Sequence, residues 1–169
     1  PNTHGHIILA STSKGLFRSE NGGNTWKQIF TDASCDIKIN PAKENVIYVM
    51  RYNAGTKNYE PWKSTNYGNT FIVKKTGWHN LADGGVRMAV SAADAKRIYA
   101  VVLTNSNGPY LMRSNDEGES WKIQAKGSYE NNPSVEFPMD NWQGYYDLSI
   151  VASQTNADHV ITGTSSCFK

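Results

Sequence analysis

The residues best suited to binding or catalysis lie in one long segment, residues 127–147. Aromatic rings in this segment can stack on a sugar ring or on a protein partner, and its carboxylates can accept hydrogen bonds or transfer protons. We predict a ligand-binding surface here, with local packing of the rings onto their own sheet as the alternative. The aromatic candidates are Trp142, Tyr145 and Tyr146, and the carboxylates are Glu130, Glu136, Asp140 and Asp147, of which Asp147 joins the predicted binding set.

A second group of similar chemical character stands earlier in the chain. Trp78 and His79 are adjacent, and Asp83 and Arg87 follow shortly after them. We include Trp78, His79 and Arg87 in the predicted binding surface. Packing of Trp78 onto its own sheet is again the alternative.

An eight-residue motif that occurs three times indicates which elements hold these segments. Its copies read Ser-Glu-Asn-Gly-Gly-Asn-Thr-Trp from Ser19, Ser-Thr-Asn-Tyr-Gly-Asn-Thr-Phe from Ser64 and Ser-Asn-Asp-Glu-Gly-Glu-Ser-Trp from Ser114, and they start 45 and 50 residues apart. Each copy separates two short apolar runs, which is the pattern of a β-hairpin turn. Self-similarity at this period is typical of a solenoid, a propeller or an array.

The residue types of this motif predict a structural turn. The side chain at its third position should bond backbone N–H groups one or two residues further on, and the glycine at its fifth position should adopt a positive φ. The final aromatic ring should be buried on the next strand. Calcium binding at residues 115–119 is the alternative, but the ligand spacing of an EF-hand loop is absent. The third-position residues are Asn21, Asn66 and Asp116, and the glycines are Gly23, Gly68 and Gly118.

The motif resembles the Asp-box, the turn of sialidase-like, sortilin-like and related bacterial β-propellers. Asn21 and Asn66 stand where that family usually has Asp, and Asn can make the same turn bond. Residues 142–150, Trp-Gln-Gly-Tyr-Tyr-Asp-Leu-Ser-Ile, resemble a phrase of large secreted Asp-box proteins of Bacteroidetes, many of which carry a C-terminal secretion-sorting domain. This resemblance implies an extracellular or cell-surface location and export by type IX secretion.

A second repeated pattern gives each unit four strands. Residues 36–49, 87–100 and 147–162 each read as strand, polar turn, strand. Together with the two strands around the motif, they predict an all-β fold, a β-propeller of four-stranded antiparallel blades. We expect about three and a half blades, and therefore a part of a larger protein or closure with a second chain. The predicted boundaries are a partial blade at 1–34, complete blades at 35–75 and 86–124, and a partial blade at 146–169.

Strand order divides the connections between two faces. In a four-stranded meander the first and third turns share a face, which places the motif beside the short turns at 40–46, 91–97 and 153–158. Binding residues usually lie on loops that a rigid scaffold holds. We therefore place the site on the opposite face, which carries the longer connections at 52–60, 76–85, 104–109 and 124–145.

Two functions remain open. One is a module that binds a carbohydrate or protein ligand, and the other is a glycoside hydrolase, sialidase-like or endo-glucanase-like, with catalytic residues partly outside this chain. A hydrolase needs two positioned carboxylates or a nucleophile with its base, and likeness to sialidases implies three arginines and a Tyr–Glu pair. Arg18 and Arg113 recur before the motif, which makes them structural, and only Arg51 and Arg87 lie near the loop-bearing face.

Composition argues against several other classes. The 169 residues carry a net charge of +2 without a basic stripe, so we expect no nucleic-acid partner. The chain has no run of about 18 apolar residues, so we expect no membrane span. No His/Cys cluster has metal-ligand spacing, and we predict neither a metal nor a cofactor. Cys35 and Cys167 are predicted to lie in blades too far apart for a disulfide between them.

Overall fold

The computed structural model describes residues 6–79, 84–104, 109–128, 137–138, 147–163 and 167–168. The elements bounded within these ranges are fifteen β-strands, which confirms the all-β prediction. The first seven are β1 (Ile8–Thr12), β2 (Gly15–Ser19), β3 (Lys27–Phe30), β4 (Ser34–Asn40), β5 (Lys43–Asn53), β6 (Asn58–Ser64) and β7 (Ile72–Val73). The others are β8 (Gly85–Val90), β9 (Ile98–Leu103), β10 (Tyr110–Ser114), β11 (Lys122–Ser128), β12 (Phe137–Pro138), β13 (Ser149–Ala152), β14 (Val160–Gly163) and β15 (Cys167–Phe168).

These strands form four sheets in chain order. The first sheet is β1-β2-β3, the second is β4-β5-β6-β7, the third contains β8 to β11, and the fourth is β13-β14-β15. Neighbouring strands are antiparallel except at the outer edge of the third sheet, where β12 pairs in parallel with β11. This short fifth strand falls in the long insertion and was not expected from the repeat. The predicted blade boundaries stay a prediction.

The third sheet buries both of its faces, and this packing explains the apolar run of β9. Alternate side chains of a strand point to opposite faces, and every residue of β9 is buried. One set packs with Tyr48 and Met50 of the second sheet, and the other packs with Leu148 beside the fourth sheet. The third sheet therefore packs between the second and the fourth sheets. The first set is Ile98, Ala100 and Val102, and the second is Tyr99, Val101 and Leu103.

The repeated motif forms the same turn in all three copies, but its hydrogen bonds reach further than predicted. In the second copy, Ser64 Oγ accepts hydrogen bonds from the backbone N–H groups of Asn66 at 3.2 Å and Gly68 at 2.9 Å. Asn66 Oδ1 accepts one from the Thr70 N–H, four residues on, at 3.0 Å. The predicted reach of one or two residues was wrong, because the Tyr67 N–H donates to Asn45 O and the Gly68 N–H donates to Ser64 Oγ. The positive φ of the motif glycines is confirmed.

The final aromatic residue of the motif is buried in the third copy, half-buried in the second and exposed in the first. Trp121 is 6% exposed and packs on Trp78 with ring centroids 4.9 Å apart. Phe71 packs on Phe30 of the first sheet at 5.9 Å. Trp26 is 44% exposed, so the predicted burial was wrong for this copy. Among the described residues, no sheet precedes the first one and covers this ring.

Residues 52–60 were predicted to be a loop, but the structure makes most of them a hairpin. β5 and β6 continue with Tyr52 opposite Tyr59 and Asn53 opposite Asn58. The tyrosine rings meet edge to face at 5.2 Å, which favours strand pairing. Asn53 Oδ1 accepts hydrogen bonds from the N–H groups of Gly55 and Thr56 and closes the turn. Only residues 54–57 connect the strands.

Candidate functional site

The hydrogen bonds of the connections define two faces. On the turn face, the motif is tied to the short first turn of its own sheet, with the N–H of Tyr67 donating to Asn45 O and that of Glu117 to Lys96 O, both at 3.0 Å. On the opposite loop face, Trp78 Nε1 donates to Tyr59 O at 2.8 Å. This bond ties the link after the second sheet to the β5–β6 hairpin. The predicted division into two faces agrees with these contacts.

A cluster of aromatic residues and one arginine lies on the loop face between the second and third sheets. We call it the loop-face cluster, and it consists of Tyr52, Tyr59, Trp78, His79 and Arg87. Tyr59 contacts two of the other members, because its ring meets Tyr52 and its carbonyl accepts from Trp78. His79 follows Trp78 in the chain, and Arg87 lies on β8 of the third sheet. All five are half-buried, so each has an exposed part.

Arg87 supplies the positive charge of this cluster. It lies on β8, and its Nη1 donates to Val86 O at 2.9 Å. The thiol of Cys35 donates to the same carbonyl at 3.4 Å. Burial raises the pKa of Cys35 to about 12, although the nearby Arg87 charge acts to lower it. The pKa of Tyr59 is also raised, mainly by burial and to a smaller extent by Cys35. The thiol and the phenol are therefore neutral at pH 7, and Arg87 is left as a cation that can bind a carboxylate or hydroxyl.

His79 adds a neutral imidazole to the cluster. Its ring stacks on Tyr110 with centroids 4.0 Å apart and planes inclined by 28°. Burial, and then the Lys126 charge, lower the pKa of His79 below its ordinary value of 6.5. The imidazole is therefore mostly uncharged at neutral pH, and it is able to donate through one nitrogen and accept through the other.

A carboxylate that sequence reasoning missed lies beside the cluster. Glu60 is 6% exposed, and its Oε1 accepts from Lys75 Nζ at 3.2 Å and from Asn53 Nδ2 at 3.3 Å. These partners make Glu60 a structural ion pair in the described chain. Glu60 is buried because it lies on β6, in a hairpin that was predicted to be a loop. The sequence therefore gave no indication that this carboxylate would be buried.

The predicted site residues are only partly brought together. Trp78 is anchored by its hydrogen bond to Tyr59 O and by its packing on Trp121, and Arg87 lies on β8 with Nη1 bonded to Val86 O. Asp147 precedes β13, and its Oδ1 is buried without a hydrogen-bond partner among the described residues. The remaining predicted residues lie outside the described ranges. They are Trp142, Tyr145 and Tyr146, and the candidate carboxylates Asp83, Glu130, Glu136 and Asp140 lie outside those ranges as well.

Structural comparison identifies the class of this protein as a β-propeller. A crystal structure of an ancestral GH74 enzyme matches 96% of this chain, at 19% identity and a TM-score of 0.65. The NanB sialidase of Streptococcus pneumoniae matches 92% at 15% identity and 0.53, and YCF48 bound to D1 peptide matches 95% at 11% and 0.50. These likenesses confirm a partial β-propeller of about three and a half four-stranded antiparallel blades. At such identities they establish the fold alone.

The chain spans only part of these proteins. It covers 21% of the GH74 chain, 23% of the NanB chain and 48% of the YCF48 chain. A comparison with protein-family models finds no match, and a comparison with curated proteins also finds none. Within the described ranges, no helix has the length and hydropathy needed to cross a membrane. Nor do the described residues contain a group of three or more potential metal ligands.

Proposed function

We propose that this propeller is a secreted or cell-surface module that binds a carbohydrate or protein ligand on its loop face. The loop-face cluster carries the proposal. It comprises aromatic rings, a neutral imidazole and the Arg87 guanidinium, all half-buried on the loop face of the second and third sheets. Rings offer flat apolar area to a sugar or to a peptide side chain, and Arg87 offers donors to a carboxylate or hydroxyl.

The three motif copies are proposed to be Asp-boxes that fasten the blades on the turn face. Their hydrogen bonds are satisfied within each turn, which leaves the loop face for ligands. The resemblance of residues 142–150 to secreted Bacteroidetes proteins supports an extracellular location and type IX export as part of the same proposal. The further partner is the remainder of the propeller or a second chain.

Both ligand classes have support among the structural neighbours. The YCF48 structure contains a bound D1 peptide, and NanB is a sialidase. The alternative function, a glycoside hydrolase, is favoured by the GH74 and sialidase neighbours. In this alternative the catalytic residues lie partly outside this chain, because Glu60 is already paired with Lys75.

A glycan array with the purified chain tests the proposal. We expect binding that falls at least tenfold in His79→Ala and in Trp142→Ala. His159→Ala is the matched control, since His159 lies on the turn face and its loss should leave binding unchanged. If no glycan binds and a surface-peptide library also gives no ligand, the proposal is wrong. Release of reducing sugar from a bound glycan would favour the hydrolase.

A further inference from the structure

A cavity of about 340 Å³ lies on the turn face, between the motif turns of the first and second sheets. This volume falls within the roughly 300–1,000 Å³ of ligand pockets in proteins. Polar side chains from the start of the chain, from β2 and from both turns line the cavity. They are His6, Arg18, Glu20, Asn66 and Asn69. Because the loop-face cluster lies at the opposite ends of the strands, this cavity is a separate place for a ligand.

Different side chains occupy the equivalent place at the next junction. Between the second and third sheets, Glu119 of the third motif accepts from Lys63 Nζ at 2.8 Å, so an ion pair spans that junction. Asn69 holds the position of Glu119 in the second motif, and it carries no charge. Arg18, the equivalent of Lys63, is paired instead with Glu20 of its own turn. The first junction therefore keeps open space where charged side chains span the second.

Arg18 gives the cavity a fixed group of hydrogen-bond donors. Its side chain is only 7% exposed, its Nε donates to Tyr67 O at 2.8 Å, and its Nη1 donates to Glu20 Oε1. Its Nη2 has no hydrogen-bond partner among the described residues. The planar guanidinium is thus held in place by two bonds and keeps donors for a molecule in the cavity.

Two amides line the cavity on the side of the second turn. Asn66 is fixed, because its Oδ1 accepts from the Thr70 N–H at 3.0 Å and its Nδ2 donates to Thr70 Oγ1 at 2.9 Å. The second hydrogen of Asn66 Nδ2 and the whole side-chain amide of Asn69 have no partner within the described part of the chain. An amide both donates and accepts, and a hydroxyl group does the same.

The charges that face the cavity favour a neutral ligand. Glu20 neutralises Arg18, and the hydrogen bond and charge of Arg18 hold the pKa of Glu20 below its ordinary value of 4.5. The two side chains therefore stay ionised and paired at neutral pH. Around them stand two neutral amides and the imidazole of His6. Donors and acceptors without net charge suit the neighbouring hydroxyl groups of a sugar ring.

We propose that this cavity binds a neutral sugar residue through its hydroxyl groups. Arg18 and Asn66 donate to the sugar, Glu20 accepts from it, and the short uncharged side chain of Asn69 leaves the space that the ring occupies. This is a second binding site, on the face opposite the loop-face cluster, and it does not depend on the ligand of that cluster.

Nuclear magnetic resonance of the isotope-labelled chain tests the proposal, with D-glucose, D-galactose and N-acetyl-D-glucosamine as probes. We expect at least one of these sugars to shift the side-chain N–H resonances of Arg18 Nε, Asn66 and Asn69. The dissociation constant should be on the order of 1–10 mM, because a single sugar ring makes few contacts.

Asn69→Glu supplies the variant that should close the site. It places in the second motif the glutamate that the third motif carries, within reach of Arg18. Binding should weaken at least tenfold, while an undiminished thermal midpoint shows that the chain still folds. Asn24→Glu is the matched control, because Asn24 holds the same position in the first motif and its exposed amide donates to Asn21 O at 2.9 Å, away from the cavity. Binding should be unchanged in this control.

Several results would overturn the proposal of a sugar site on the turn face. One is the absence of any shift with all three sugars, and another is binding that Asn69→Glu leaves intact. Shifts confined to the Trp78 indole and its neighbours would place the sugar at the loop-face cluster. Binding of D-glucuronate without binding of the neutral sugars would show that the cavity selects an anion.

Discussion

Asp36 and Met88 join the inner strands of two neighbouring sheets through one side-chain hydrogen bond. Asp36 Oδ2 on β4 accepts from the Met88 N–H on β8 at 2.6 Å. Asp36 is 9% exposed and Met88 is 1% exposed, so the bond lies out of water. Asp36 Oδ1 also accepts from Lys38 Nζ at 2.8 Å. The carboxylate therefore fastens the second sheet to the third where no backbone ladder connects them.

Replacement of Asp36 by alanine should destabilise the chain. The substitution leaves the Met88 N–H buried and unpaired, which costs about 1–3 kcal/mol. Urea unfolding followed by tryptophan fluorescence measures the loss. Asp36→Asn is the control, because its amide oxygen can still accept the bond, and it should lose less stability than Asp36→Ala. Equal stability of the wild type and Asp36→Ala would contradict this assignment.

Gly77 lies in the connection between β7 and β8, and a comparison with Gly22 tests how tightly this connection packs on the third sheet. Both have φ of +70°, so an alanine strains the backbone equally at each. A Cβ at Gly77 would lie 2.1 Å from Trp121 O, whereas a Cβ at Gly22 would meet no atom within 4 Å. We expect Gly22→Ala to cost about 1 kcal/mol.

Gly77→Ala should cost clearly more, above about 3 kcal/mol, because the Thr76–Ser120 bridge must shift to admit the methyl group. Thermal melting of the two variants gives the difference. Equal losses would mean that only backbone strain matters at these positions and that the link tolerates displacement.

Sequence reasoning succeeded where the cause is local. The turn geometry of Ser64 and Gly68 depends on residues within one motif. Because the motif occurs three times at a regular spacing, the turn could be predicted from the sequence. The second repeated pattern likewise predicted two strands in each of residues 36–49 and 87–100, and β4, β5, β8 and β9 lie there. The propeller followed because its unit repeats within the chain.

The relationships that sequence reasoning missed join distant residues or depend on a neighbouring element. The bond between Asp36 and Met88 links residues 52 apart. The exposure of Trp26 depends on whether another sheet lies against it, and the eight residues of the motif carry no information about that neighbour. Tyr52 and Tyr59 pair because the hairpin continues, although the polar residues between them suggested a loop. The predicted binding residues stay a prediction, and the Trp78 side chain bonds Tyr59 O on a hairpin that sequence reasoning treated as a loop.

Cys35 should be unreactive in the folded chain. Its thiol is held against Val86 O, and burial raises its pKa to about 12, so the thiolate that reacts with alkylating agents is scarce at neutral pH. In a Cys167→Ser background, we expect iodoacetamide at pH 8 to label Cys35 at least a hundredfold more slowly than in 6 M guanidinium. Mass spectrometry over time follows the reaction. Equally fast labelling in both conditions would show that the thiol is ionised and accessible in the folded chain.

Glu119 should make the stability of the chain depend on acid pH. Hydrogen bonds from Lys63 and then from Lys74 hold the pKa of Glu119 below its ordinary value of 4.5. A carboxyl with a lowered folded-state pKa stabilises the fold fully above its unfolded value, and this contribution is lost as pH falls through the folded-state pKa. The effect should be modest, because the side chain of Glu119 is 46% exposed and solvent screens the pair.

We therefore expect the thermal midpoint of Glu119→Gln to lie below that of the wild type at pH 7, and the two to converge as pH falls below 4.5. Glu44→Gln is the matched control, since Glu44 is an exposed glutamate on the same sheet as Lys63. Its difference from the wild type should stay small over the whole range. A gap between Glu119→Gln and the wild type that persists undiminished at pH 3 would show that Glu119 acts through packing, and that its charge contributes nothing to the bond between the second and third sheets.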